Sequence, residues 1–115
     1  MINFQETSEF SKELKKLSKK YKTLGKDFFQ FKEIYLAIAL QGNGSKHWNL
    51  LHENNAGEIY KVRMHCDSTK GKFFRVIYAY HLKTQTIEFI EIYYKGDKEH
   101  EDRERIKDYL KNITY

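Results

Sequence analysis

The chain has 115 residues, 40% of them hydrophobic and 16% aromatic, which suits a single domain (1–115) with a modest core and excludes a disordered chain. The longest apolar run, IYLAIAL at 34–40, is too short to span a bilayer, and MINFQETSEF has neither the charged nor the apolar segment of a secretory leader. The single cysteine, Cys66, excludes an internal disulfide framework, and together these features predict a cytoplasmic protein.

The net charge of +5 is unevenly spread. Residues 1–24 carry +3, 25–58 carry −1, 59–83 carry +5, 84–94 carry −2, and 95–115 are balanced. A cluster of this kind suits a polyanion, because phosphates attract it and release counterions; an acidic protein partner is the alternative.

Residues 2–5, INFQ, alternate weakly and predict a short first strand. From Ser8 the pattern becomes helical. Phe10, Leu14, Leu17, Tyr21 and Leu24 form one apolar stripe among lysines, with Ser8 as cap and Gly25 as stop. Asp27 can cap a second helix carrying Phe28, Phe31, Tyr35 and Ile38 and ending at Gly42, and the short turn predicts an antiparallel helical hairpin. Residues 41–58 read as a long loop around the apolar knot HWNLL, with Trp48 expected to anchor the knot to the core and base stacking as its alternative role.

The second half has strand composition at 59–65, 73–80 and 86–94, with short connections that require antiparallel neighbours. A last helix is predicted from near Asp97. Glu99, Glu101 and Asp102 suit its N-terminus, Lys107 and Lys111 its C-terminus, and Ile106, Tyr109, Leu110 and Ile113 its buried stripe. Glu101 and Arg105 are spaced for a surface ion pair. The predicted order is β-α-α-β-β-β-α, an α+β domain with its helices on one face of an antiparallel sheet.

Strand alternation places Tyr60, Val62 and Met64 on one face and Lys61, Arg63 and His65 on the other. In the next strand Phe74, Val76, Tyr78 and Tyr80 form the apolar set, and Arg75 points away from them. Lys61, Arg63 and Arg75 are therefore expected on one open sheet face. Arginines on adjacent strands repel, and an anion between them removes that repulsion. The alternative is an ordinary solvated face.

At these residues the chain resembles the RelE/ParE toxin superfamily of toxin–antitoxin modules. The resemblance rests on the first helix KKLSKKYKTL, the strands IYKVRM and FFRVIYAY, and the ending IEFIEIYYKGDKEHEDRERIKDYL. It implies a helical hairpin packed on a twisted antiparallel sheet. It also implies one of two activities: metal-independent cleavage of mRNA on the ribosome, or poisoning of DNA gyrase. A degenerate member that only binds RNA or a protein is a third possibility. The implied partners are a cognate antitoxin, mRNA and the ribosome, with no cofactor. Arg75 best matches the family's sheet arginine, and Lys61 and Arg63 match its alternating basic pair. Tyr94 and Lys95 fall where many members carry a Gly-His-Arg or Gly-Lys-Arg step, although here Gly96 follows the lysine.

Such cleavage uses the RNA's own 2′-hydroxyl as nucleophile, with a base, a cationic clamp and an acid. Arg75 and Arg63 are candidates for the clamp. Lys61 is a candidate for clamp or base, His65 for base or acid, and Tyr94 and Lys95 for groups approaching from the next strand end. His47, His52, His81 and His100 lack metal-ligand spacing.

Overall fold

The computed structural model describes residues 3–36, 48–54, 57–69 and 73–112, apart from the side chains of residues 35, 36 and 48. Among the described residues, five strands and three α-helices, the second extended by a π-helical turn, give an α+β architecture around a mixed sheet. Among the described residues no helix is long and apolar enough to cross a membrane.

Strand β1 (Asn3–Glu6) leads into helix α1 (Ser8–Lys20). The cap is Thr7, one residue before the expected Ser8: its hydroxyl accepts from the Phe10 amide at 3.2 Å. The helix ends four residues earlier than its apolar stripe suggested. At Tyr21 the backbone becomes extended and the ring turns inward, 5.2 Å from both Phe74 and Tyr94.

Helix α2 (Leu24–Gln30) starts immediately and continues as a π-helical turn over Phe31–Leu36. Gly25 therefore lies inside α2 instead of stopping α1. Asp27 is also internal and buried: it accepts from Thr23 Oγ1 at 2.8 Å and from the Asp67 amide at 2.9 Å. It ties α2 to the loop after the third strand and does not act as a helix cap. The Tyr35 side chain, Ile38, Gly42 and the loop residues 41–47 lie outside the described residues and side chains.

Part of the expected loop is a strand. Strand β2 (Trp48–Glu53) pairs antiparallel with β3 (Gly57–Met64), which pairs with β4 (Phe74–His81), which pairs with β5 (Thr86–Tyr94). The sheet order is β1-β5-β4-β3-β2, and β1 runs parallel to β5. The sheet is thus mixed, not antiparallel throughout, because α1 and α2 carry the chain far enough between β1 and the rest to permit a parallel edge. Trp48 lies on β2, but its side chain is outside the described set.

Helix α3 (Arg103–Lys111) begins later than Asp97, at the cap Asp102, whose carboxylate accepts from the Arg105 amide at 3.1 Å. Its placement corrects the expectation of helices on one face. One core joins Phe10, Leu24, Phe28 and Phe31 to Val62, Met64, Phe74, Val76, Tyr78 and Phe89. A second core, on the opposite face, joins Ile106 of α3 to Ile59, Ile77, Ala79 and Ile90, with Tyr109 and Leu110 packed beside it. Ile113 lies outside the described residues.

Arg105 does not pair with Glu101. It makes a bidentate bond to Glu13 of α1, at 2.7 and 2.9 Å, and also donates to the Ile90 carbonyl. Glu13 in turn accepts from the Ile92 amide at 3.2 Å. Strand β1 pairs with β5 only as far as Phe89, so this ion pair satisfies the edge of β5 beyond β1 and links helices from opposite faces across it.

Candidate functional site

Helix α3 covers only part of its sheet face. The remainder is a row of side chains set by strand register. Arg63 of β3 stands opposite Arg75 of β4, which stands opposite Tyr93 of β5. The adjacent row is Asn49, Lys61, Ile77 and Glu91. Asn49, Lys61, Arg63, Arg75, Tyr93 and Lys95, with Glu99 above them, line an open cleft of about 130 Å³.

The expected grouping of Lys61, Arg63 and Arg75 is present, but the three cations differ. Lys61 is neutralised: its ammonium donates to Glu101 Oε1 at 2.9 Å, and that carboxylate is only 6% exposed. Burial works to raise the Glu101 pKa, but the Lys61 hydrogen bond and charge overcome it and hold the carboxyl below its usual range. Arg63 and Arg75 form no ion pair with any described residue. One terminal nitrogen of Arg75 is buried with no hydrogen-bond partner. Burial and the facing Arg63 lower the Arg75 pKa, yet a guanidinium remains charged at any physiological pH. A buried, unpaired cationic donor is a costly arrangement unless a ligand completes it.

Tyr94 does not join this site. It packs in the opposite core, 5.3 Å from Phe74, and a side chain at Gly96 would collide with its ring. The cleft tyrosine is Tyr93, whereas the family resemblance pointed to Tyr94. A bulge in β5 sets this face: Ile77 faces Glu91 while Tyr78 faces Phe89, so Ile90 is inserted between them. The insertion puts Ile90 and Glu91 on one face and reverses the alternation beyond. Tyr93 is 5% exposed, and burial, with Glu101 and Glu91 nearby, pushes its phenol up to about 12.

Lys95 lines the cleft and donates to the Glu99 carbonyl at 2.7 Å. His65 lies just past the end of β3, outside the cleft lining, bonded to Asp67 at 2.9 Å. Glu99, a helix-start acid in the sequence, stands at the cleft rim, where its backbone carbonyl accepts from Lys95. The segment bearing Lys95 and Glu99 is anchored by Glu91, which is fully buried and accepts from Lys98 Nζ and, at 2.8 Å, from the Asp102 amide.

The other residues weighed from sequence lie elsewhere. His81 bonds Tyr109 at 2.7 Å on the α3 side, His52 is exposed beside Asn54, Cys66 is a buried free thiol, and His47 is outside the described residues. Among the described residues no group of three or more His, Cys, Asp or Glu side chains is placed to hold a metal ion.

The cleft thus offers two guanidiniums that pair with no described carboxylate, a protonated phenol and two ammoniums, one of them paired with Glu101, within a small open space. That set is suited to gripping a phosphate through both arginines. Neither a protein-family model, a curated protein nor a solved structure matches the chain.

Proposed function

We propose that the protein is a RelE-type toxin of a toxin–antitoxin module, an endoribonuclease that grips an mRNA phosphodiester between Arg63 and Arg75. The single observation behind this reading is the opposed arginine pair, with its buried guanidinium nitrogen left without a partner in an open cleft. A phosphate oxygen there satisfies the orphan donor and cancels the repulsion together.

In the proposed reaction the ribose 2′-oxygen bonds to the adjacent phosphorus and the bond from phosphorus to the 5′-oxygen breaks. The products are a 2′,3′-cyclic phosphate and a 5′-hydroxyl. The proton leaving the 2′-hydroxyl passes to a base, and the departing 5′-oxygen takes one from an acid. Glu99, the acidic residue at the cleft rim, is the proposed base, and the Tyr93 phenol, protonated up to about 12, the proposed acid. Arg63 and Arg75 neutralise charge on the crowded phosphate. Lys61 is paired with Glu101 and so adds little net charge at the phosphate. The ribosome presents the mRNA in the cytoplasm, and a cognate antitoxin silences the toxin by laying carboxylates over the cleft.

One observation favours a second reading. Among the described residues no histidine lines the cleft, and its tyrosine keeps its proton far above neutrality. A degenerate member that binds RNA phosphate without cutting would show the same geometry.

Expression of wild type and Arg75→Ala in bacterial cells, with mapping of transcript ends, separates the readings. Growth arrest with new cyclic-phosphate ends, lost in the variant, supports the ribonuclease. RNA binding without cleavage supports the second reading. DNA breaks with intact transcripts point to gyrase poisoning, and equal arrest from both proteins removes the arginine cleft from the mechanism.

A further inference from the structure

The strand register continues one row beyond the arginines. Met64, Phe74 and Tyr94 are successive partners across β3, β4 and β5, so His65, Phe73 and Lys95 form the next row on the cleft face. Two contacts bear this out: the Lys95 amide donates to the Phe73 carbonyl at 3.2 Å, and the His65 and Phe73 rings meet edge to face at 6.2 Å.

Phe73 is 39% exposed, whereas its neighbour Phe74 is wholly buried. An exposed phenylalanine is unremarkable alone. This one sits two residues along the strand from Arg75, about 6.7 Å away. That spacing is comparable to one nucleotide step in an extended single strand. One side of the ring is steadied by His65, itself held by Asp67 at 2.9 Å, and on the other the strand of Lys95 is tied to the Phe73 backbone. An exposed aromatic ring one step from a phosphate clamp is the arrangement that stacks an unpaired base.

We propose that Phe73 is the base-stacking platform for the nucleotide adjacent to the phosphate held by Arg63 and Arg75. The ligand class is single-stranded RNA with an unstacked base at that position. The inference rests on the reading of the arginine cleft as an RNA phosphate site, and adds to it a residue that selects substrate. Because stacking tolerates any base, the platform demands an unpaired nucleotide and favours purines, which stack over a larger area, above pyrimidines.

The test uses the full chain and short single-stranded oligoribonucleotides, methylated at the 2′-oxygens to prevent cleavage. A fluorescent purine, quenched by stacking, is moved through successive positions. The expected result is quenching at one position in wild type and in Phe73→Trp, but not in Phe73→Ala or Phe73→Leu. Affinity should fall roughly 5- to 150-fold in the last two. An abasic nucleotide at that position should weaken wild type equally and leave Phe73→Ala unaffected. Arg75→Ala should weaken every oligonucleotide regardless of the probe. If Arg75→Ala weakens binding while the Phe73 variants match wild type, the platform is overturned and the phosphate site stands. If wild type binds none of the oligonucleotides, both fall.

Discussion

Arg63 and Arg75 occupy directly opposed positions on β3 and β4, and no described carboxylate pairs with either. At such positions the Cβ atoms lie about 5 Å apart, close enough for like charges to destabilise the ladder. The fold bears this repulsion, together with a buried guanidinium nitrogen lacking a partner.

Replacing that guanidinium should therefore make the protein more stable and less useful. Arg75→Met is expected to raise unfolding stability by about 1 kcal/mol, since it removes both the repulsion and the orphan donor and keeps the packing of the stem. Urea titration checks the sign. Added inorganic phosphate should raise the wild-type midpoint and leave that of the variant unchanged.

The Lys61–Glu101 pair predicts an acid limb. The folded state holds Glu101 below its ordinary pKa, so the pair's contribution is fully present above the unfolded value, about 4.3, and is lost as pH falls through the folded value. Glu101→Gln should cost about 1–2 kcal/mol at neutral pH. The gap between the two denaturation midpoints should close on acidification below about pH 4. Releasing Lys61 should also tighten RNA binding and steepen its salt dependence by roughly 0.7 in the log–log slope.

Tyr93 predicts the opposite limb. Its phenol is pushed up to about 12 by burial and by Glu101 and Glu91, so the folded state holds the proton more tightly than the unfolded chain, where the pKa is about 10. Stability should fall as pH rises from about 10 to 12, and Tyr93→Phe should flatten that fall. Tyr60, pushed up to about 12 by burial and by Glu58, should titrate late as well. A near-ultraviolet absorbance titration should show late ionisation that diminishes in Tyr93→Phe.

Glu91 holds the cleft rim by accepting from Lys98 and the Asp102 amide inside the protein. Glu91→Ala should cost about 1–3 kcal/mol, the usual penalty for leaving a buried donor such as the Asp102 amide without its acceptor. Hydrogen exchange should show faster opening at the Asp102 amide, and RNA affinity should drop because Lys95 and Glu99 lose their anchor. Unchanged protection at Asp102 would show that the rim is held by other contacts.

Much of this was legible in the sequence because it follows from local backbone geometry. The helical stripe through Phe10, Leu14 and Leu17, the strand composition of β3, β4 and β5, and the common face of Lys61, Arg63 and Arg75 all come from periods of 3.6 and 2. One inserted residue, Ile90, was enough to exchange the faces of Tyr93 and Tyr94, because a strand's alternation reverses across a bulge. The stripe through Tyr21 and Leu24 concealed a turn, since residues spaced for one helix also line a core when the chain breaks between them.

By itself, then, the sequence determined the apolar stripe of α1 through Leu17, the strands β3, β4 and β5, and that the cations on β3 and β4 share a face. Only the tertiary structure decided that β1 lies parallel to β5, that Trp48–Glu53 adds an edge strand, and that α3 packs opposite α1 and α2. It also gave Glu101 to Lys61 and Arg105 to Glu13, leaving Arg63 and Arg75 without a partner among the described carboxylates. Those pairings join residues 40 and 92 positions apart in the chain, and they depend on how packed elements meet, whereas hydrophobic periodicity is written within a few consecutive residues.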